Sequence, residues 1–402
     1  MTHTCFHFDT LIDRHKTFCT QWDYMQDRFG AQGLLPFAIS DMDFASPEPL
    51  LTSLQQRLSH GVFGYTRWNH RDFKQAIVDW YQTQFQAKVE PDTLVYSPSV
   101  LYTIAKLLAV VSDVGDHVVV QTPAYDAFFN TITANHRVVS ANPLLRDAQG
   151  QFTLDLADLD KRLAHPRAKV LLLCHPHNPT GRVWRISELK QILTLCQAHG
   201  VYVISDEIHM DIRRAGQPFQ SLIQQDTDLA QLCVCTSASK TFNTPGLGGS
   251  YAIIPDVSIR EPFLAQLKTA DGLSSASVFG LTALMAGYTQ CSDWLNALNL
   301  YLDDNLRTLQ AFYAQHYPSI TFAMPEATYF AWVDTEPLGY DMATLQQALV
   351  SVGKVGVMAG STYDVGPASA TYLRWNVACP HNKLAAGLTG FQQAITHLQT
   401  ST

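Results

Sequence analysis

The sequence lacks several features that would assign the protein to a familiar class. Its 402 residues contain no dense run of lysine and arginine, and the formal net charge is −8, which argues against a nucleic-acid partner. No stretch approaches the roughly 18 consecutive apolar residues that a membrane-spanning helix needs. The first residues also lack a basic segment followed by an apolar one, so no secretory signal is indicated. We therefore expect a cytoplasmic protein with no membrane partner.

The cysteines also lack the spacing of a metal or redox site. None of the eight forms a C-x-x-C pair, and we expect reduced thiols packed in a core and no bound metal. Apolar residues make up 47% of the chain and charged residues only 15%, so a large core is expected rather than disorder. The chain has no internal repeat, and its length predicts two or more domains.

Four segments share one design, a short apolar run followed by polar residues. The runs begin at Val118, Val170, Val201 and Leu232. Continuous apolar runs of this length are typical of buried strands in a parallel sheet. Ligands of open α/β sheets bind at the carboxyl ends of the strands. We therefore expect the polar residues that follow the four runs to meet at one edge of the sheet: Tyr125, Asn178, Asp206, His209 and Lys240.

These side chains suit the ring of pyridoxal phosphate. A lysine whose pKa is lowered by its surroundings can form a Schiff base with an aldehyde, and Lys240 is the candidate. Tyr125 offers an aromatic face for stacking. Asp206 could keep the pyridine nitrogen protonated, as an electron sink requires. Asn178 or His209 could bond to the ring hydroxyl. The ordinary alternatives are a solvated loop for the lysine, core packing for the aromatics and a simple turn at Asn178.

The phosphate of such a cofactor also has candidate partners. Ser237 and Ser239 lie close to Lys240 and carry hydroxyls. Ser99 precedes an apolar segment that is typical of a helix, so the backbone N–H groups at Ser99 and Val100 would face a phosphate at the helix start. The ordinary alternative at Ser99 is a capped helix without a ligand.

The pattern of motifs resembles a known family. The order Tyr125, Asn178-Pro-Thr-Gly181, Asp206-Glu-x-His209, Ser237-x-Ser-Lys240 and a late Arg374 is similar to the fold type I, aspartate aminotransferase-like pyridoxal-phosphate enzymes. Further stretches resemble the MalY/PatB type of cystathionine β-lyase, and they spread over nearly the whole chain: Ser40-Asp-Met-Asp-Phe44, His60-Gly-Val-Phe-Gly-Tyr-Thr66, Ser97-Pro-Ser-Val100, Gln121-Thr-Pro-Ala-Tyr-Asp-Ala127, Ile204-Ser-Asp-Glu-Ile-His-Met-Asp211 and Asp271-Gly-Leu-Ser-Ser275.

The resemblance implies an α/β fold with two domains. A large domain, residues 47–290, would hold pyridoxal phosphate on a mostly parallel, seven-stranded type of sheet. A smaller α+β domain would combine residues 1–46 with 291–402. Arg374, helped by Asn178, would bind the substrate carboxylate. Tyr65 would reach the catalytic site of a neighbouring subunit, which implies a homodimer.

Two positions depart from the family pattern. Many relatives have a tyrosine where His209 stands, and many have a phosphate-binding arginine where Gly248 stands. The histidine could take over the contact with the ring hydroxyl or could be a packed core residue. Without the arginine, the phosphate would have to be held by a different arrangement of groups.

The resemblance further implies a function. The expected reaction is carbon–sulfur β-elimination, in which L-cystathionine or a related cysteine S-conjugate gives homocysteine or another thiol, pyruvate and ammonia. Lys240 would remove and return protons. The first alternative is a class I/II aminotransferase. The second, from another class, is a regulatory protein that binds a transcription activator, although no surface for such a partner is evident in the sequence.

Periodicity outside the four strands predicts further elements. The segment up to residue 46 is expected to be irregular and to fold onto the smaller domain. Strands are expected at 320–323, 329–333, 355–358 and 372–376. Helices are expected from residue 47, at 71–87, 101–111, 188–199, 293–316, 343–351 and 381–398.

Overall fold

The computed structural model describes residues 6–147, 149–225 and 231–401. Within them the helices are α1 Met25–Phe29, α2 Glu48–Ser59, α3 Arg71–Phe85, α4 Val100–Val111, α5 Asp126–Ala134, α6 Leu156–Leu163, α7 Ile186–His199, α8 Val257–Ala265, α9 Val278–Gln290, α10 Ser292–His316, α11 Met342–Ser351 and α12 His381–Ser401.

The strands of the described residues are β1 Leu35–Pro36, β2 Leu94–Ser97, β3 His117–Thr122, β4 Val138–Pro143, β5 Leu145–Arg146, β6 Phe152–Thr153, β7 Ala168–Cys174, β8 Tyr202–Asp206, β9 Leu232–Thr236, β10 Ser250–Ile253, β11 Phe330–Asp334, β12 Val355–Gly356, β13 Met358–Ala359 and β14 Tyr372–Asn376.

Local sequence explains where several helices begin and end. Ser99 caps α4, because its hydroxyl accepts a hydrogen bond from the backbone of Tyr102. Gly200 ends α7 with a φ of 66°, a left-handed conformation that glycine adopts without steric cost. Proline in the first turn suits the start of α2. These helices therefore lie where the sequence predicts them.

A sheet of seven strands forms the centre of the larger part of the chain. Its order is β2-β10-β9-β8-β7-β3-β4. Only β10 runs antiparallel to its neighbours, β2 and β9, while the remaining pairs are parallel. The prediction of a mostly parallel seven-stranded sheet is confirmed. The register sets Cys174 beside Asp206 and Asp206 beside Cys235, so the strand ends coincide.

Both faces of this sheet are buried, which explains the continuous apolar runs. Along β7, Leu171 and Leu173 join one core cluster, while Val170 and Leu172 join a second cluster on the opposite face. The helices of the crossover connections cover the two faces, as a parallel sheet requires.

The carboxyl-terminal part forms a smaller unit. An antiparallel sheet of β11, β14 and β13 packs with α10, α11 and α12 around a separate core that includes Trp375 and Phe391. The strand predicted at 320–323 is wrong. Ile320 and Phe322 are buried in this core, but the segment has no neighbouring strand to pair with, so its apolar alternation reflects packing alone.

The amino-terminal segment is less irregular than predicted, since it contains α1 and β1. Leu35 of β1 pairs in parallel with Val355 of β12, next to the smaller unit. Phe8, in contrast, packs against Phe44 and Trp294 in the main core. The domain boundaries proposed above, 1–46, 47–290 and 291–402, remain a prediction.

Residues 37–43 form a strap that passes between the two units. On one side the amide of Asn376 donates to the carbonyl oxygens of Ile39 and Asp41, at 2.5 and 2.6 Å. On the other side the amide of Asn243 donates to Met42 and Phe44. The strap therefore hydrogen-bonds to the small sheet and to the turn that follows β9 of the large sheet.

Three further observations concern membrane spans, cysteines and metal ligands. Among the residues that the structure describes, no helix is both long and apolar enough to cross a membrane. Cys5 lies outside the described residues. The other cysteines, at 19, 174, 196, 233, 235, 291 and 379, are free thiols, and all except Cys19 are buried, as predicted. The described residues contain no cluster of ligands that could hold a metal ion.

Candidate active site

A cavity of about 180 Å³ lies at the carboxyl edge of the large sheet, under the strap. Nine of the eleven site residues named from the sequence line it: Ser99, Val100, Tyr125, Asn178, Asp206, His209, Ser237, Ser239 and Lys240. The register of the strands explains this convergence, because the polar residues follow strands that end at the same level.

Lys240 follows β9 by a short turn and points into this cavity. Its ammonium donates a 2.5 Å hydrogen bond to the carbonyl oxygen of Ser40 in the strap. Burial lowers the pKa of Lys240 to about 8, the carboxylate of Asp41 opposes this shift, and the charge of Arg374 adds to it. Near neutral pH the side chain therefore holds a larger fraction of free amine than an exposed lysine.

Asp206 ends β8 on the floor of the cavity and is 4% exposed. One carboxylate oxygen accepts a hydrogen bond from the backbone of Ile208 at 3.0 Å. Burial raises the pKa of Asp206 to about 7. Such a carboxylate would gain from a cationic partner in the cavity. The adjacent Glu207 does not line the cavity and accepts hydrogen bonds from Ser205 and the backbone of Leu222, which is a structural role.

His209 is fully packed yet lacks a partner for one nitrogen. Its ring contacts Tyr329 and Phe330 edge to face, with centroid distances of 6.0 and 5.8 Å. Nδ1 has no hydrogen-bond partner in the described residues. Burial lowers the pKa of His209 to about 3, and the charges of Lys240 and Arg374 reinforce this. The imidazole is therefore neutral at physiological pH and offers a buried polar atom for a ligand.

The amino-terminal end of α4 and the turn after β9 form the opposite side of the cavity. Ser99 uses its hydroxyl as the helix cap, while the N–H groups of Val100 and Leu101 have no carbonyl to bond within the helix. The hydroxyl of Ser237 donates to the carbonyl of Gly249 at 2.8 Å. Ser239 makes no side-chain hydrogen bond in the described part of the chain. An anion at this end would meet free backbone donors and one free hydroxyl.

Gly248 stands on the same side, where many relatives have arginine. Its φ is 70°, and an added Cβ would meet nothing nearer than a backbone oxygen at 3.9 Å. Apart from Lys240, no lysine or arginine of the described residues lines this cavity. Helix α9 packs closely against the loop that contains Gly248, since a Cβ on Gly280 would lie only 2.4 Å from the backbone oxygen of Gly248.

A second cavity, of about 400 Å³, opens beside the first and shares Ser40, Tyr125 and Lys240 with it. Arg374 of β14 lines this second cavity and is 3% exposed. Its guanidinium carbon lies 4.0 Å from the ring centre of Phe330 and 4.4 Å from that of Tyr363. Two aromatic faces therefore hold the cation in place.

The hydrogen bonds of Arg374 connect it to Asn178, which lines the first cavity, where we expect the cofactor. It donates to the side-chain oxygen of Asn178 at 3.1 Å and to the carbonyl of Ala38 in the strap at 2.8 Å. Nε has no partner among the described residues. A substrate carboxylate at this position would lie close to Lys240, because both residues border the same space.

Tyr65 is the one predicted residue that lies far from both cavities. It belongs to the loop between α2 and α3 and is 99% exposed. In a single chain it contacts neither cavity, so the role in a neighbouring subunit stays a prediction.

Several residues of the site were not predicted from the sequence. The carbonyl of Ser40 accepts hydrogen bonds from Lys240 and from the hydroxyl of Tyr329. Phe330 and Tyr363 enclose Arg374. The stretch Ser40-Asp-Met-Asp-Phe44 carries the family resemblance, but a backbone acceptor leaves no trace in residue type, so its role was not deduced.

Comparisons with known proteins agree with this architecture. The family model for aminotransferase class I and II matches residues 32–390. Protein MalY of Escherichia coli is 45% identical over 390 residues, covering 97% of this chain and 99% of that protein. Cystathionine β-lyase PatB of Bacillus subtilis is 36% identical over 392 residues, covering 97% of this chain and all of PatB.

A solved structure gives the same result in three dimensions. Cystalysin from Treponema denticola, whose crystal structure contains pyridoxal 5′-phosphate, superposes with a TM-score of 0.92 at 27% identity, over 98% of this chain and 100% of cystalysin. Fold, sequence and the convergence of motifs at one sheet edge agree along nearly the whole length. The chain therefore belongs to the aminotransferase class I and II family and is of the MalY/PatB type within the fold type I enzymes.

Proposed function

We propose that the protein is a pyridoxal-phosphate-dependent carbon–sulfur β-lyase. Its substrates would be L-cystathionine and related cysteine S-conjugates, and its products homocysteine or another thiol, pyruvate and ammonia. The observation that carries the proposal is the placement of Lys240 and Arg374 around one cavity, where a lysine with a pKa lowered to about 8 lies close to a site for a carboxylate. The full-length similarity to PatB, a cystathionine β-lyase, supports the choice of reaction.

The groups left unpaired in the first cavity fit pyridoxal phosphate. Asp206 is a buried carboxylate that forms no ion pair with the described residues, which suits a protonated pyridine nitrogen. Nδ1 of His209 has no partner. The free N–H groups of Val100 and Leu101 suit a phosphate. When bound, the cofactor supplies an electron sink that stabilises negative charge at the substrate α-carbon.

The protein's own residues would perform the remaining steps. Arg374 binds the α-carboxylate through parallel hydrogen bonds and orients the substrate. The amine of Lys240 takes the proton from the α-carbon, as a base with a pKa near the working pH can do. The bond from the β-carbon to sulfur then breaks and the thiolate leaves. The remaining aminoacrylate hydrolyses to pyruvate and ammonia.

An aminotransferase uses the same base and the same carboxylate site, so the reaction must be tested directly. We would incubate the protein with L-cystathionine and pyridoxal phosphate but no keto acid, and measure pyruvate and free thiol. Stoichiometric release of both, over many turnovers, is the expected result. Turnover that requires a keto acid and releases no thiol would contradict the lyase and establish the aminotransferase.

We also propose that the protein is a cytoplasmic homodimer. Three large apolar side chains are exposed in the loop that carries Tyr65: Val62, Phe63 and Tyr65, at 63%, 49% and 99%. An exposed apolar patch of this kind is typical of an interface. The reduced cysteines of the described residues fit a reducing compartment. Sedimentation of the pure protein would test the dimer.

A further inference from the structure

We propose that the outer part of the 400 Å³ cavity binds the far end of a substrate that is an amino acid at both ends. Arg28 would bind the distal carboxylate, and Asp126 would bind the distal ammonium. The inference rests on the proposed lyase function and adds the two residues that would favour thioethers whose leaving thiol is itself an amino acid over other cysteine S-conjugates.

The cavity has an inner part that is buried and an outer part that is more exposed. Arg374, which is 3% exposed, lines the inner part, and Lys240 lines both this cavity and the first one. Arg28 is exposed and Asp126 is half-buried, and both line the same cavity but not the first one. A substrate held by its α-carboxylate at Arg374 therefore has room to extend its β-substituent toward a second pair of opposite charges.

Tyr363 lines the same cavity as these charged groups. Its ring lies 4.4 Å from the guanidinium carbon of Arg374. Burial raises the pKa of Tyr363 to about 12, so its phenol is uncharged at neutral pH and adds no charge to those that a molecule in this cavity would meet.

Arg28 is available for an anion. It lies in the last turn of α1, and its side chain is exposed at the mouth of the cavity. It forms no ion pair with the residues that the structure describes, and its only hydrogen bond is a 3.6 Å contact with the sulfur of Met358. Met358 pairs with Arg374 across β13 and β14, so this contact also ties Arg28 to the inner site.

Asp126 is the free anion of the cavity. It begins α5, directly after the predicted stacking residue Tyr125, and its carboxylate makes no hydrogen bond or ion pair in the described ranges. The only other carboxylate in the lining is Asp41, and its two oxygens accept from Arg14 at 3.3 and 2.6 Å. A substrate ammonium would therefore find Asp126 rather than Asp41.

An unpaired cation and an unpaired anion at one cavity end select a zwitterion. A dicarboxylic amino acid would use only Arg28, and a plain alkyl thioether would use neither. Cystathionine, which carries a second amino and carboxyl group beyond its sulfur, would use both. This pairing distinguishes two-ended thioethers from other cysteine S-conjugates by charge.

Four ligands separate these contributions: L-cystathionine, S-carboxymethyl-L-cysteine, S-aminoethyl-L-cysteine and S-ethyl-L-cysteine. Each would be mixed rapidly with the holoenzyme, and the dissociation constant would be taken from the first change in visible absorbance. Pyruvate release would be followed separately. The variants are Arg28→Gln and Asp126→Asn, with Arg307→Gln as a matched control, because Arg307 is exposed and lies outside both cavities.

We expect Arg28→Gln to weaken binding of cystathionine and the carboxymethyl compound about tenfold or more, the loss of one charge-assisted contact. Asp126→Asn should weaken cystathionine and the aminoethyl compound to a similar extent. S-ethyl-L-cysteine should change less than about twofold in both variants. The proposal is overturned if all four ligands weaken equally, or if none does.

The dissociation constants do not depend on the later elimination step. If the binding pattern appears but no ligand yields pyruvate, the distal site stands and the lyase function fails. If pyruvate forms from all four ligands with no dependence on Arg28 or Asp126, the lyase function stands and the distal site fails.

Discussion

Arg374 donates a 3.1 Å hydrogen bond to the side-chain oxygen of Asn178, so a strand of the small sheet is joined to the turn after β7 of the large sheet. The same guanidinium also donates to the strap at Ala38. Arg374, the proposed substrate-binding cation, is therefore positioned by three separate parts of the chain, and its orientation depends on their relative placement.

We expect Arg374→Ala to raise the apparent KM for sulfur amino acids between about tenfold and a hundredfold, because hydrogen bonds to a charged group contribute roughly 1.5–3 kcal/mol. The cofactor should stay bound, since Arg374 does not line the cofactor cavity. Steady-state kinetics with a visible spectrum would measure both. Unchanged apparent affinity at full cofactor content would contradict the carboxylate role.

Lys240→Ala should abolish turnover and remove the yellow colour that we expect of the purified protein. The variant lacks the only lysine that lines the cofactor cavity among the described residues. Its thermal stability should not fall, because the change removes a buried ammonium that costs free energy to desolvate. Retention of full elimination activity would refute the assignment of the lysine.

The lowered pKa of Lys240 predicts how cofactor uptake depends on pH. The amine reacts only when it is unprotonated, and burial moves its pKa down from 10.5 to about 8. The rate at which apoprotein captures pyridoxal phosphate should therefore rise through pH 7–9 and level off above, instead of rising until pH 11. Stopped-flow absorbance on apoprotein would give the midpoint, and a midpoint near 10.5 would contradict the buried amine.

Asp206→Asn tests whether this carboxylate keeps the pyridine nitrogen protonated, as we propose. We expect turnover to fall at least about tenfold, which corresponds to about 1.4 kcal/mol in the barrier, while Lys240 still binds the aldehyde. Glu207→Gln is the matched control, because Glu207 is equally buried but hydrogen-bonds away from the cavity. Similar losses in the two variants would show that the effect comes from folding, not from the cofactor.

Tyr65→Phe tests the proposed contribution of a neighbouring subunit. We expect weaker retention of cofactor without dissociation of the dimer, since the phenol can donate one hydrogen bond to a phosphate. Mixing Tyr65→Phe with Lys240→Ala subunits should restore activity, because each mixed dimer keeps one complete site. No recovery, although subunits demonstrably exchange, would mean that Tyr65 does not act across the interface.

The large sheet and the floor of the site could be predicted because their signals are local. Continuous apolar strands ending in Asp206 and Lys240 fix both the fold and the position of those side chains. The strap could not be predicted, since its contact with Lys240 uses the carbonyl of Ser40, and every residue has a carbonyl. The prediction of a strand at 320–323 was wrong for a related reason. Alternating burial of Ile320 and Phe322 looks the same whether or not a neighbouring strand is present.

The size of the pKa shifts in the site could not be predicted from the sequence either. The pKa values of His209 and Lys240 depend on how completely the fold excludes water, a property of the whole assembly around them. Arg28 belongs to no motif, and Asp126 lies in the stretch from Gln121 to Ala127 but had no predicted role. The two residues line one cavity only through the placement of α1 and α5.

The strap has a mechanical consequence. Asn376, on the strand that also carries Arg374, holds the strap at the carbonyls on either side of Ser40, and the Ser40 carbonyl in turn orients the amine of Lys240. A tilt of the small sheet away from the large one would pull on both ends of this linkage. Because Arg374 also donates to the strap at Ala38, the proposed carboxylate site and the strap beside Lys240 would then move as one unit.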